Sequence, residues 1–124
     1  MKAFLFSIML ASVFGLSAQI KKKDFGRYIG TIESYKINSG QELLTVKACP
    51  ISVNINKENL LLNIGSKEFK AVYRMKKIER RSYMIFIDVP YSDLEESFRL
   101  NGKDKIMLRK GIFPQPDCEL KKQL

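Results

Sequence analysis

The chain contains no histidine and no tryptophan, and it has only two cysteines in 124 residues. Without histidine, the usual general base near neutral pH is missing, along with the commonest zinc ligand and every Ser-His or Cys-His nucleophile arrangement. Two cysteines as far apart as Cys49 and Cys118 cannot make a four-coordinate zinc site. No Gly-x-x-x-x-Gly-Lys loop or dinucleotide fingerprint is present to cradle phosphate. The one cluster of carboxylates, Asp93, Glu95 and Glu96, falls in a loop-like stretch and reads as a solvated acidic patch rather than a glycosidase pair. The expectation is a non-enzymatic chain with no catalytic residue, no metal and no cofactor.

What the sequence does have begins at its N-terminus. Lys2 supplies a charged start, residues 4–16 an apolar run, and Leu16-Ser17-Ala18 a small-residue end before Gln19. That is the layout of a signal peptide, too short to span a bilayer. Residues 1–18 are therefore expected to be removed and residues 19–124 to form a single exported domain, periplasmic or secreted. No cysteine stands at the cleavage point for lipid attachment, and no second hydrophobic stretch follows, so no transmembrane segment is expected in the mature chain. Export would place Cys49 and Cys118 in an oxidising compartment, where a disulfide is expected. Closing a loop of about seventy residues, it would contribute roughly 4 kcal/mol by chain entropy.

Basic residues outnumber acidic ones, 22 to 13. Such an excess favours anionic partners: phospholipid head groups, acidic polysaccharide or an acidic protein surface. Nucleic acid is not expected, because the basic residues are not interleaved with aromatics in a recognisable module. The densest run is Lys67, Lys70, Arg74, Lys76, Lys77, Arg80 and Arg81, opposed only by Glu68 and Glu79. Lys103, Lys105 and Arg109 could extend it if a neighbouring strand brings them alongside.

Short stretches rich in Val, Ile, Tyr, Phe and Leu recur about every ten residues with turn residues between them, the pattern of an all-β domain. Strands are expected over residues 27–37, 42–48, 51–56, 60–64, 68–76, 82–89, 97–100 and 103–110, with a closing segment at 118–121. Residues 21–23 read as a disordered lead-in. Gly65-Ser66 and Asn101-Gly102 suit two-residue hairpins, and Pro50 should interrupt the chain between strands. A helical turn capped by Ser92 is expected in the loop after Pro90. Phe69, Ala71, Tyr73 and Met75 alternate with Lys70, Arg74 and Lys76, which gives that strand a core face and a wet face. Residues 83–87 are apolar on both faces, as for a strand covered twice, a partner surface or a lipid-like ligand inside. Eight or so hairpin-connected strands most simply close into a small antiparallel up-and-down barrel, whose interior either fills with side chains or holds one small ligand.

Gly26-Arg27-Tyr28 before the first strand resembles the Gly-x-Trp signature of the lipocalins, with Tyr in place of Trp. The resemblance implies a barrel in which a basic residue from a late strand, here Arg109, packs across the aromatic ring. A disulfide tying the C-terminal tail to the barrel, Cys49 to Cys118, is similar in kind to those of that family. It carries over an architecture and no binding site. From the alternation, Val53, Leu62, Phe69, Tyr73, Ile85 and Phe98 are the candidate inward positions for an apolar small molecule or lipid. The rival expectation is a protein-interaction or inhibitor module of the cell envelope that uses the basic strand face of Lys70, Arg74, Lys76, Lys77, Arg80 and Arg81.

Overall fold

The computed structural model describes residues 20–90, 93–111 and 114–124. The expected signal segment and the Ser92 cap lie outside the described residues. Among those described there is no α-helix; a 3-10 turn, Lys22–Asp24, is followed by eleven strands. These are β1 (Gly26–Ile32), β2 (Tyr35–Asn38), β3 (Leu43–Val46), β4 (Cys49–Ile55), β5 (Leu60–Ile64), β6 (Lys67–Ala71), β7 (Arg74–Glu79), β8 (Ser82–Ile87), β9 (Glu96–Asn101), β10 (Ile106–Lys110) and β11 (Cys118–Lys122). Nine of them form one strongly curled antiparallel half-barrel in the order β6-β5-β4-β1-β11-β10-β9-β8-β7. The first strand thus pairs with the last, β1 lying between β4 and β11.

The two edge strands, β6 and β7, are consecutive in the chain and separated only by Val72 and Tyr73. Three peptide steps cannot exceed about 11 Å, so the sheet has to curl until its edges nearly meet. The expected strand over residues 68–76 is real but changes partner midway, pairing with β5 before Val72 and with β8 after Tyr73. One row of opposed residues runs right round the sheet from Glu79 through Asn101, Lys121 and Ile29 to Glu68. It returns eleven positions back along the same chain, one of which is the bulge residue Ile78.

Alternation decides what goes inside. Tyr28, Val53, Leu62, Ile85, Phe98, Leu100, Met107 and Leu120 have no exposed surface and form one core. Burying each aliphatic side chain stabilises the fold by about 1.5–3 kcal/mol. Gly30 lets β1 approach β11 closely, since a Cβ there would lie 2.6 Å from the Glu119 carbonyl oxygen.

Several expectations are corrected. Cys49 and Cys118 are both free, because they lie on β4 and β11 with β1 between them. Two strand spacings separate them by about 9.6 Å, beyond the span of a disulfide. Pro50 does not interrupt the chain but lies in β4 opposite Thr31. Its carbonyl accepts from the Gly65 amide, where β5 has already turned, so its missing N–H deprives no partner. The Asn101-Gly102 hairpin is wider than expected: Asn101 pairs with Ile106, leaving a four-residue loop with Lys105 at φ 58°. Residues 21–23 are not a loose lead-in, as the 3-10 turn packs its Asp24 into the barrel end.

The expected strand over residues 27–37 breaks into β1 and β2. β2 pairs with β3 in the register that β1 keeps with β4, Ile32 facing Cys49 and Tyr35 facing Val46. The two pairs are one long ribbon interrupted at residues 33–34 and 47–48, and its outer part extends about 20 Å of chain beyond Ile32. Tyr35 packs against the core although it lies an odd number of residues from the inward Ile32, so the interruption turns the ribbon over. Ile37, Leu43 and Leu44 remain exposed along it.

Candidate functional site

The six inward candidates divide into two groups. Val53, Leu62, Ile85 and Phe98 have no accessible surface, and a void large enough for one water beside any of them would leave some. The barrel centre is therefore filled with side chains at these positions. Phe69 and Tyr73 are only partly buried and sit where the sheet changes partner. Of the six, Tyr73 lines an open groove at the barrel mouth.

This groove, of about 630 Å³, is walled by Ile20, Phe25, Val72, Tyr73 and Met75, with Lys22, Lys57 and Glu58 at its lip. It exists because β5 and β8 each pair with half of the β6–β7 strand, leaving the residues at the changeover uncovered. Val72 is 78% exposed there. The Tyr73 hydroxyl donates to the Asn56 carbonyl oxygen at 2.8 Å, holding the ring against the β4–β5 turn. Burial raises its pKa, so it remains a neutral donor at physiological pH. The turn is itself fixed by the Asn56 side chain, which accepts from the amides of Glu58 and Asn59. The site thus combines an apolar floor with two exposed ammonium groups. Sequence alternation found Tyr73; Phe25, Val72 and Met75 come together only through the curl.

The basic run does not form one face. Lys70 and Lys76 point outward, Lys77 lies opposite the inward Tyr83 at the rim, and Arg80 stands in the β7–β8 turn. Arg74 is paired with Asp88 at 3.1 Å and also with Glu95. Arg81 turns inward to Asp24 at 2.7 Å. Arg109 is buried inside the barrel and so cannot join Lys103 and Lys105 on a surface.

Each end of the barrel holds an ion pair with a fully buried carboxylate that the sequence did not reveal. At one end the Asp24 carboxylate, fully buried, accepts from Arg81 and from the Tyr83 hydroxyl, while the Tyr28 hydroxyl donates to the Asp24 carbonyl oxygen at 2.8 Å. Burial, and next the negative charge of Asp24, push the Tyr28 pKa up to about 12. Gly102 faces Asp24 so closely that a Cβ would lie 2.2 Å from its Oδ1. At the other end Arg109 donates from Nε and Nη2 to the two oxygens of Glu96 at 2.8 and 2.9 Å, and from Nη1 to Gln115. Cys118 lies beside this pair, its thiol pKa raised by burial, which makes it a poor nucleophile.

This arrangement also corrects the role expected for Arg109. Tyr28 lies opposite Lys122, and Arg109 lies opposite Cys118, four residues away along β11. About 13 Å of strand separates the two levels. The guanidinium at the Tyr28 end belongs to Arg81. Among the described residues, no three carboxylate or thiol groups stand together in a way that could hold a metal ion. No protein-family model matches the chain, nor does any curated protein or solved structure.

Proposed function

We propose that this chain is an exported, non-catalytic binding protein that holds an apolar small molecule or lipid with an acidic end in the mouth groove. The observation that carries the reading is the contrast between a filled barrel centre and an uncovered apolar floor beside Lys22 and Lys57. The apolar body would lie against Phe25, Val72 and Met75, and the acid would face the lysines. A groove of this size suits a drug-sized ligand. On this reading the protein resembles the lipocalins in using a barrel to carry apolar cargo, with the cargo at the rim rather than within.

The test is titration with a fluorescent apolar anion, anilinonaphthalene sulfonate, followed by displacement with a long-chain fatty acid. Val72→Asp changes an exposed side chain, so the fold should survive while affinity falls at least about tenfold, the weight of a buried apolar contact. Lys57→Glu should weaken the acid and leave its neutral alcohol analogue unaffected. Unchanged binding in both variants would remove the site.

The rival reading, a protein-interaction or inhibitor module, is favoured by the exposed Ile37, Leu43 and Leu44 on the projecting β2–β3 ribbon. Leu43→Asn with Leu44→Asn should abolish partner capture on that reading and leave dye binding intact.

A further inference from the structure

We infer that the end of the barrel closed by Asp24 is a docking surface for an anionic lipid bilayer. Four basic segments that are remote in sequence converge there. Residues 21–23 form the first, Arg80 and Arg81 in the β7–β8 turn the second, Lys103 and Lys105 in the β9–β10 loop the third, and the end of β11 the fourth.

Hydrogen bonds fix them against one another. The Gly102 amide donates to the Arg81 carbonyl oxygen at 2.8 Å, and the Arg81 guanidinium donates to the Gly102 carbonyl oxygen at 3.0 Å. The Lys122 amide donates to the Lys105 carbonyl oxygen at 2.9 Å, and the Lys122 ammonium donates to the Lys23 carbonyl oxygen at 2.6 Å. Asp24, the acid at the centre, is consumed by Arg81 and has no surface of its own. Lys21, Lys22, Lys23, Arg80, Lys103 and Lys105 are exposed, and none of the ion pairs among the described residues engages them.

Two further observations favour a bilayer over a dissolved polyanion. Val72, Ile78 and Leu124, at 78%, 45% and 96% exposure, stand at this same end, where they could enter the acyl boundary while the cations meet head groups. This end also carries exposed Glu58, Glu79 and Asp104, which its cations outnumber. The opposite end sets exposed Asp88, Asp93, Glu95 and Asp117 against Arg74, Lys67 and Lys110, so the excess of positive charge lies at the Asp24 end. The inference does not rest on the groove, although a ligand taken from the bilayer would enter there.

The experiment is co-sedimentation of the purified chain with phosphatidylcholine vesicles, with and without phosphatidylglycerol, at low and high salt. Binding should require the anionic lipid and weaken with salt. Reversing four cations outside the groove, Lys23→Glu, Arg80→Glu, Lys103→Glu and Lys105→Glu, should reduce partitioning more than about tenfold, each basic residue near a charged membrane contributing. Reversing Lys36 and Lys47 near the other end should change it little. Val72→Asp with Ile78→Asp should weaken vesicle binding but not retention by dextran sulfate. Equal binding to neutral vesicles, or no loss on charge reversal, overturns the inference. Retention by dextran sulfate without vesicle binding overturns it too and assigns the surface to a polymer. Loss of vesicle binding with dye binding intact separates this surface from the groove.

Discussion

The two ends of the barrel are each closed by an arginine and a carboxylate, yet the two closures differ in kind. Glu96 and Arg109 come from neighbouring strands, thirteen residues apart, with side chains 0% and 2% exposed. Asp24 and Arg81 are fifty-seven residues apart, and Arg81 keeps 19% of its side chain accessible. The first pair is held by a ladder that would form without it, so its role is to satisfy charge inside the barrel. The second pair attaches the N-terminal segment to a turn, so it determines whether that end is closed at all.

This contrast sets the order of expected effects. Glu96→Ala takes the carboxylate away from a guanidinium in a dry interior and should cost about 3–5 kcal/mol, read as a fall in the urea midpoint. Asp24→Ala should cost less globally because Arg81 can turn to water. It should nevertheless release residues 20–25, seen as rapid amide exchange and early proteolysis there while the sheet stays protected. If the two variants lose stability equally and neither frees the N-terminal segment, the distinction between the ends fails.

The pH dependence sharpens the same point. Tyr28 holds its proton to about 12 in the folded chain against an ordinary value of 10.0. The unfolded chain therefore releases that proton first. The stabilisation is complete below about pH 10 and falls by about 1.4 kcal/mol per unit as pH rises towards 12. Tyr28→Phe should flatten this slope, whereas Glu96→Gln at the far end should not. Thiol titration of the denatured, unreduced chain should count two free thiols per molecule, with Cys49 reacting before Cys118 in the folded state. The smallest effect is expected at Ser82, whose buried hydroxyl finds no partner among the described residues. Ser82→Ala should be neutral or slightly stabilising.

Much of the sheet was legible in the sequence because alternation is local. Phe69, Ala71, Tyr73 and Met75 face the core as their spacing demands, and Gly65-Ser66 turns between Ile64 and Lys67. What the sequence hid was pairing. Nothing at Val72 and Tyr73 announces that one strand serves two partners, and nothing around Cys118 says that β1 will lie between it and Cys49. Asp24 was lost among lysines because its partners, Arg81, Tyr83 and Gly102, arrive only when the sheet has curled. For the site, the rim aromatic was readable, but the groove is a product of the curl.

The two residues that join the sheet edges have a topological consequence. Near the chain ends, the Gln123 amide donates to the Arg27 carbonyl oxygen at 2.8 Å, so a short linker could join Leu124 back to Ile20. A circular permutant cut between Val72 and Tyr73 would then keep every ladder of the sheet and lose only the covalent hinge between its edges. Its stability against the parent would weigh how far the barrel is a shape imposed by packing and how far it is a belt held closed by a single buckle.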